Sequence, residues 1–317
     1  VHRPSIVIVT PALADANNGN WRTARRWAQM LSSTYRVRLV PQWSEGDESL
    51  MIALHARRSA ASVRAWRARR ADARLVVVLT GTDLYRDLAV DAEAGHSVEA
   101  ADALIVLNAL GAAHLPAALR PRCQVVLQSC SARATLPKSG RHLRALMVGH
   151  LRDEKDPLSY LRAAERLAQR RDLRFDHIGA ALDPALGARA TALAARQATY
   201  RWLGPLPHGQ TRRRIQAAHV LVHASRMEGG AHVVIEALRS GTPVLASRID
   251  GNLGLLGEDW PATFDVGDDA ALAGWLIRLR ESPGLLDDLR RRAVERAALF
   301  SPEHECRTLL GLVRDLL

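Results

Sequence analysis

The chain has three cysteines, two lysines and no apolar run of about 18 residues. Each scarcity removes a class of protein. Cys123, Cys130 and Cys306 are odd in number, far apart and without a CxxC pair. This argues against a disulfide framework or a cysteine zinc site and points to a reducing, cytoplasmic compartment. Cys130, after Gln128-Ser129, reads as a buried inert thiol before it reads as a reactive one. The missing apolar run argues against a membrane span. Val1-His-Arg-Pro-Ser running straight into Ile6-Val-Ile-Val9 reads as a first strand, not a signal peptide. No GxGxxG or Walker pattern supports NAD or ATP, and no GxSxG elbow is present. Histidines 55, 150, 208, 219, 223 and 232 show no HExxH or other metal spacing, so neither a bound metal nor a cofactor is expected.

What is present is arginine and alanine. The formal charge is +11, and Lys138 and Lys155 are the two lysines. This is the look of a GC-rich bacterial coding sequence. The charge is spread over helical stretches such as Arg64-Ala-Trp-Arg-Ala-Arg-Arg70, with no basic tail, which speaks against nucleic-acid binding. A net positive field still favours anionic substrates.

At 317 residues the chain has room for two domains. Apolar, β-branched runs alternate with helical patterns throughout, as in a parallel α/β sheet. Strands are expected at 5–9, 36–40, 50–54, 75–80, 103–107 and 124–127, and helices near 21–31, 58–70, 92–100 and 109–115. The polar stretch 131–140 is the best linker. The alternation restarts with strands at 143–148, 175–178, 201–203, 220–222, 244–246 and 262–265. Its helices fall near 158–170, 184–195, 209–217, 233–240 and 270–280, followed by two long ones at 285–298 and 302–316. The division expected is 1–134, 141–300 and a final helix, 301–317, that crosses back onto the first domain. Two doubly wound halves predict a ligand cleft at the carboxyl ends of their strands.

The most informative stretch is Ser225-Arg-Met-Glu-Gly-Gly-Ala-His232, continuing through Glu236 to Gly241-Thr-Pro243. Seven residues separate Glu228 from Glu236 across a Gly-Gly turn, in a strand, loop, helix, strand unit. Such a loop offers backbone N–H groups to an anion such as a phosphate. Ala231, Val234, Ile235 and Leu238 form the apolar stripe of the helix. His232, Glu236 and Arg239 fall on another face, where Glu236 can accept two hydrogen bonds from a vicinal diol such as a ribose. Gly229 and Gly230 remove side-chain bulk so that a ligand can approach the backbone. The plain alternative makes Glu228 a dipole cap and Glu236 a solvated residue.

Three further loops follow strand ends. Gly149-His-Leu-Arg-Asp-Glu-Lys-Asp-Pro157 carries His150, Arg152 and Lys155, with Asp156-Pro157 as an N-cap and first-turn pair. A lysine in a chain that otherwise uses arginine suits a point charge on a phosphate. Asn17, Asn18, Gly19 and Asn20 form a loop at a helix start, suited to an anion or simply to a turn. Thr80, Thr82 and Asp83 end another strand, with Asp83 a substrate ligand or general base on one reading and a helix cap on the other.

Together these features resemble the retaining GT-B glycosyltransferases of family four: two Rossmann-like doubly wound α/β domains facing a cleft, metal-independent and using a nucleotide sugar. The resemblance implies that Glu236 holds the nucleotide ribose and Glu228 approaches the donor sugar. It also implies that the Gly229, Gly230 and Ala231 amides with His232 approach sugar and phosphate, and that Lys155 neutralises the leaving diphosphate. Asn252 falls in the loop after the following strand. Two positions depart from the family: His150 stands where it has arginine, unless Arg152 substitutes, and Thr80 where it often has histidine. The particular phrases around Asn17–Asn20, Thr80–Arg86, Gly149–Pro157 and Ser225–His232 are similar to the selenosugar-forming branch. That branch is expected to join selenophosphate to the sugar of UDP-N-acetylglucosamine, and an anionic selenium nucleophile needs little base assistance. The rivals are a transferase using a glycan or lipid hydroxyl at the membrane, a UDP-sugar epimerase and a basic binding module without catalysis.

Overall fold

In the computed structural model, which describes residues 3–11 and 19–317, all twelve expected strands form. They make two six-stranded sheets, every strand pair parallel. The chain divides into two compact units.

Unit one holds Val1–Ser129, Glu228–Gly230 and Pro302–Leu317. Its strands are β1 (Ser5–Val9), β2 (Arg36–Val40), β3 (Leu50–Leu54), β4 (Arg74–Leu79), β5 (Ala103–Val106) and β6 (Cys123–Val125), in the order β2-β1-β3-β4-β5-β6. Side chains alternate between faces, so one strand feeds two cores. Val7, Val9, Met51, Val77 and Leu79 pack with Trp66 and Val98 on one face. Ile6, Ile8, Ile52, Val76 and Val78 pack with Trp27 and Leu31 on the other. Helix α1 (Gly19–Leu31) covers the second face; α2 (Ala60–Arg69) covers the first. A π-type turn, Asp83–Asp87, runs into α3 (Leu88–Val90), and α4 (Ala92–Ala100) follows. The helix expected at 109–115 is only a 3-10 turn, Gly111–His114. Gly111 and Pro116 bracket too few residues for a stable α-helix.

Unit two holds Cys130–Met227 and Ala231–Ser301. Its strands are β7 (Leu143–Val148), β8 (Leu173–Ile178), β9 (Tyr200–Trp202), β10 (Val220–His223), β11 (Val244–Ser247) and β12 (Thr263–Phe264), in the order β12-β11-β10-β7-β8-β9. Helices α5 (Pro157–Arg166), α6 (Pro184–Arg196), α7 (His208–Ala217), α8 (His232–Leu238), α9 (Asp250–Leu256), α10 (Asp269–Glu281) and α11 (Pro283–Ala297) join or cover them. Helix α9 was not expected: Gly251 and Gly254 weaken its helical signal. Helix α5 stops at Arg166, short of the expected 170. Gly241 ends α8 in the left-handed region, φ +65°. Its N–H bonds Leu238 O at 3.0 Å and the Thr242 N–H bonds Ala237 O at 2.9 Å, a Schellman closure that requires glycine there.

The last helix, α12 (Pro302–Leu316), belongs to unit one. Leu309, Leu312 and Val313 enter the same core as Trp27. Among the described residues no helix is long and apolar enough to cross a membrane.

Candidate functional site

The order of the second sheet reverses between β7 and β10, which lie side by side. From β7 the chain moves outward through α5 to β8; from β10 it moves the opposite way through α8 to β11. The loops at the carboxyl ends of β7 and β10 therefore part and leave a crevice, the usual ligand position in open α/β sheets. These two loops carry the lysine segment and the start of the two-glutamate segment.

Arg226 ties the two loops together. Its N–H donates to Glu154 O at 2.9 Å, and its Nη2 donates to Asp156 Oδ1 at 3.2 Å. Its Nε lies 3.4 Å from Asp153 Oδ1. Asp156 is buried, left-handed at φ 44°, and precedes Pro157 at the start of α5. The expected cap bond is not made. Its carboxylate instead accepts from Ser159 Oγ at 2.6 Å and from Arg226, whose charge outcompetes neutral helix amides.

Between these fixed points the three cations differ. Lys155 closes the 3-10 turn Asp153–Lys155 and is half-buried, its stem against Gly149. His150 Nδ1 accepts the Ala180 N–H at 3.1 Å, so a neutral ring carries its proton on Nε2. Partial burial, then the Arg152 and Lys155 charges, lower its pKa. His150 thus offers a neutral donor where the resemblance expects a charged guanidinium. Arg152 is exposed, its Nε 3.8 Å from Glu154 Oε2.

Glu236 is 2 % exposed, which removes the plain alternative of a solvated residue. Its Oε1 accepts from His208 Nε2 at 2.5 Å, and His232 Nδ1 lies 3.3 Å from the same oxygen. Burial alone raises its pKa, but the hydrogen bonds and charges of His208 and His232 more than offset this and hold it at about 2. His232, expected to face substrate, turns its Nδ1 to Glu236. Asn252 lies on α9 rather than in a loop. Its Nδ2 donates to Ser247 O and Oγ, both at 3.0 Å, and its buried Oδ1 has no hydrogen-bond partner among the described residues.

Glu228, Gly229 and Gly230 group with unit one. A Cβ on Gly229 would overlap the Thr80 carbonyl, and one on Gly230 would lie 2.9 Å from Leu107 Cβ. Asn108 Nδ2 donates to Gly229 O at 2.7 Å. The bulk removed by these glycines is thus excluded by the chain's own packing, against backbone at Gly229 and against side chains at Gly230. Glu228 is half-buried.

Asp83 is 0 % exposed and serves as a turn anchor. Its Oδ1 accepts from Thr80 N at 2.9 Å and Gly81 N at 2.8 Å; its Oδ2 accepts from Ala56 N at 3.0 Å. These donors precede Asp83 or come from the end of β3, so it does not cap the helix that follows. It ties the ends of β3 and β4 together, and its engaged oxygens argue against the general-base reading. Thr80 bonds the same Oδ1 through its hydroxyl at 3.4 Å. Thr82 Oγ1 meets His55 Nε2 at 3.2 Å. His55 was missed beyond its exclusion as a metal ligand. It is buried, left-handed at φ 72°, and follows β3 beside the order reversal of the first sheet. Burial lowers its pKa, outweighing the nearby Asp83. Its position directly after a strand was the available signal.

Gly19 and Asn20 open α1, and Thr23 Oγ1 donates to Gly19 O at 2.9 Å. Asn17 and Asn18 lie outside the described residues. No group of three or more potential metal ligands occurs among the described residues.

The arginine-rich stretch 64–70 is tied to its own unit. Trp66 is in the core, edge-on to Trp43 with ring centroids 5.0 Å apart. Arg67 pairs with Asp102 at 2.8 Å, Arg64 with Glu93, and Arg70 donates to Gly46 O at 3.1 Å. That helix has no aromatic anchor on its outer face.

Two parallel, doubly wound sheets, with a crevice lined by a lysine loop and a glutamate helix in the second, define a GT-B-type α/β fold. Residues 131–299 match the family model of the glycosyl transferases group 1, and the chain belongs to that family. Over 190 residues it is 30 % identical to a D-inositol 3-phosphate glycosyltransferase of Acidothermus cellulolyticus, covering 54 % of this chain and 41 % of the relative. A protein of the same name from a Nocardioides species is 31 % identical over 207 residues, covering 58 % and 43 %. The chain thus spans less than half the length of these relatives. A sucrose-phosphate synthase from Thermosynechococcus elongatus superposes with a TM-score of 0.78 at 17 % identity, with 99 % of each chain covered. Anabaena HepE, solved with UDP and glucose, gives 0.74 at 14 % identity, with 99 % of this chain and 100 % of that one covered. At such identities the likeness establishes the fold.

Proposed function

We propose that this chain is a glycosyltransferase that breaks the anomeric C–O bond of a UDP-sugar, with UDP leaving on the electron pair. The observation that carries this reading is that the Lys155 loop follows β7 and the helix of Glu236 follows β10, the two strands that flank the order reversal of unit two. Glu236 accepts from the ribose. Lys155, with His150 as a neutral donor and Arg152 beside them, stabilises the departing diphosphate. Glu228 approaches the sugar, and the Gly229, Gly230 and Ala231 amides approach sugar and phosphate. Lysine charge here takes the part that a divalent cation plays in metal-dependent transferases. Residues 141–300 are assigned to the donor half and 1–134 with 301–317 to the acceptor half, and Thr80, Thr82, Asn17, Asn18, Gly19 and Asn20 are assigned to the acceptor.

The particular reaction proposed is transfer of N-acetylglucosamine from UDP-N-acetylglucosamine to selenophosphate, forming a C–Se bond, the selenosugar synthase step of selenoneine biosynthesis. It rests on the phrases around Asn17–Asn20, Thr80–Arg86, Gly149–Pro157 and Ser225–His232. The loss of Asp83 as a candidate base agrees with it, since a selenophosphate anion needs no deprotonation. The second reading, transfer to a hydroxyl acceptor, is favoured by the two relatives named for inositol phosphate glycosylation. Its membrane-bound form loses support with Trp66 buried.

Mass spectrometry of a UDP-sugar panel, with and without selenophosphate, separates these readings. UDP release only with selenophosphate, and a selenium isotope pattern on the sugar, are expected. UDP release driven by a polyol phosphate alone would replace the selenium reading. Lys155→Ala should keep its circular dichroism and lose about 3 kcal/mol of transition-state stabilisation, roughly a hundredfold in kcat. Turnover near that of the parent chain would sink the assignment.

A further inference from the structure

Helix α7 carries the chain from β9, at the outer edge of the second sheet, back to β10 beside β7. Its first residue, His208, reaches Glu236 on α8, 28 positions later. We infer that His208 is a positioning residue for nucleotide recognition, holding Glu236 so that the site selects a ribose over a 2′-deoxyribose. The inference rests on the reading of Glu236 as the ribose acceptor.

The geometry supplies the reason. A carboxylate 2 % exposed is costly to keep charged without donors. Both imidazoles converge on Oε1, His208 at 2.5 Å and His232 at 3.3 Å, so among the described residues Oε2 is the oxygen left for a ligand. The two partners are not equivalent. His232 lies one helical turn before Glu236 on the same short helix, so its position follows from that helix. His208 comes from a separate element and fixes the side-chain torsions that α8 alone leaves open. It is half-exposed, so removing its ring opens no large cavity. A ribose presents two adjacent hydroxyls to such an oxygen and a 2′-deoxyribose one. Discrimination between them therefore measures how firmly the carboxylate is held.

The test is calorimetric titration of the full chain with UDP and with 2′-deoxy-UDP. The parent chain is expected to prefer UDP by about tenfold, the value of one hydrogen bond to a charged group. In His208→Ala the affinity for UDP should fall about tenfold while that for 2′-deoxy-UDP changes little, closing the gap. His208→Gln, which keeps a side-chain N–H donor, should restore part of the preference. An unchanged preference in His208→Ala, or an equal loss for both nucleotides, overturns the inference and leaves the donor assignment standing. Failure of the parent chain to bind UDP, or equal binding of both nucleotides, overturns the reading of Glu236 itself, and the inference with it.

Discussion

Replacing Glu305 should be the most damaging single substitution in unit one. Glu305 lies on α12 and is 0 % exposed. Its Oε2 accepts from Arg26 Nε at 2.8 Å, Ser129 N at 2.8 Å and Ser129 Oγ at 2.5 Å. Its Oε1 accepts from Arg26 Nη2 at 3.0 Å and Trp27 Nε1 at 2.7 Å. One carboxylate thus joins α12, α1 and the segment after β6. In Glu305→Ala the Arg26 guanidinium can turn to water, but Trp27 Nε1 and the Ser129 amide cannot. Each buried donor left without an acceptor costs about 1–3 kcal/mol, and breaking a buried ion pair costs about 3–5 kcal/mol. These figures overlap, and their common range sets the expected loss at about 4 kcal/mol. Glu305→Gln should lose about 2 kcal/mol, because its amide turns donors toward donors. Urea unfolding gives the totals; hydrogen exchange over 19–31 and 302–316 locates them. A loss under about 1 kcal/mol in Glu305→Ala, with exchange unchanged, would refute the claim that this carboxylate holds α12 in place.

Three other outcomes are expected. Arg226→Met keeps the aliphatic stem but removes the cation from buried Asp156, so it should slacken the Lys155 loop. It should lower kcat by about tenfold with a smaller change in UDP affinity, read by steady-state kinetics and calorimetry. Gly241→Ala places a Cβ at φ +65° and against Thr135 Oγ1, at a cost of about 1–2 kcal/mol in urea unfolding. Glu236 has its pKa lowered from 4.5 to about 2, so its contribution is complete above pH 4.5 and fades as acid protonates it toward pH 2. The stability difference between the parent chain and Glu236→Gln should therefore shrink as urea midpoints are measured from pH 5 down to pH 3.

The sheets were legible because buried parallel strands are runs of β-branched residues, such as Leu75-Val-Val-Val-Leu79, between helical patterns. The loops at strand ends were also legible: the Lys155 segment follows β7 and the Gly229-Gly230 turn follows β10, as the alternation predicts. Partners distant in sequence were not. Nothing near Glu236 announces His208, and nothing near Glu305 announces Ser129, 176 residues away. Asp83 was left between two roles for the same reason. Two of its amide donors precede it by two and three residues, where a helix cap would accept from residues that follow, and the Ala56 amide that completes the set comes from the end of β3. His55 and α9 were hidden differently. A single histidine after a strand has no periodicity, and a seven-residue helix with two glycines falls below any propensity signal.

Four buried carboxylates show how partners divide structural from functional duty. Asp83 is taken by three backbone amides and Glu305 by an arginine, an indole and a serine. Asp156 is taken by Arg226 and Ser159. In each of these three, both oxygens are engaged, by donors that are permanently charged or fixed by the fold. Such groups have little capacity left for a ligand. Glu236 is the exception, because its donors are two imidazoles, both on one oxygen. Imidazole donors sustain the charge of a carboxylate without closing a bidentate clamp on it, as a guanidinium would. A carboxylate held in its charged form in the interior, with one oxygen uncommitted among the described residues, has the chemistry needed to accept from an incoming hydroxyl. That difference in partners, more than the spacing of the two glutamates, supports the role proposed for Glu236 toward a nucleotide ribose.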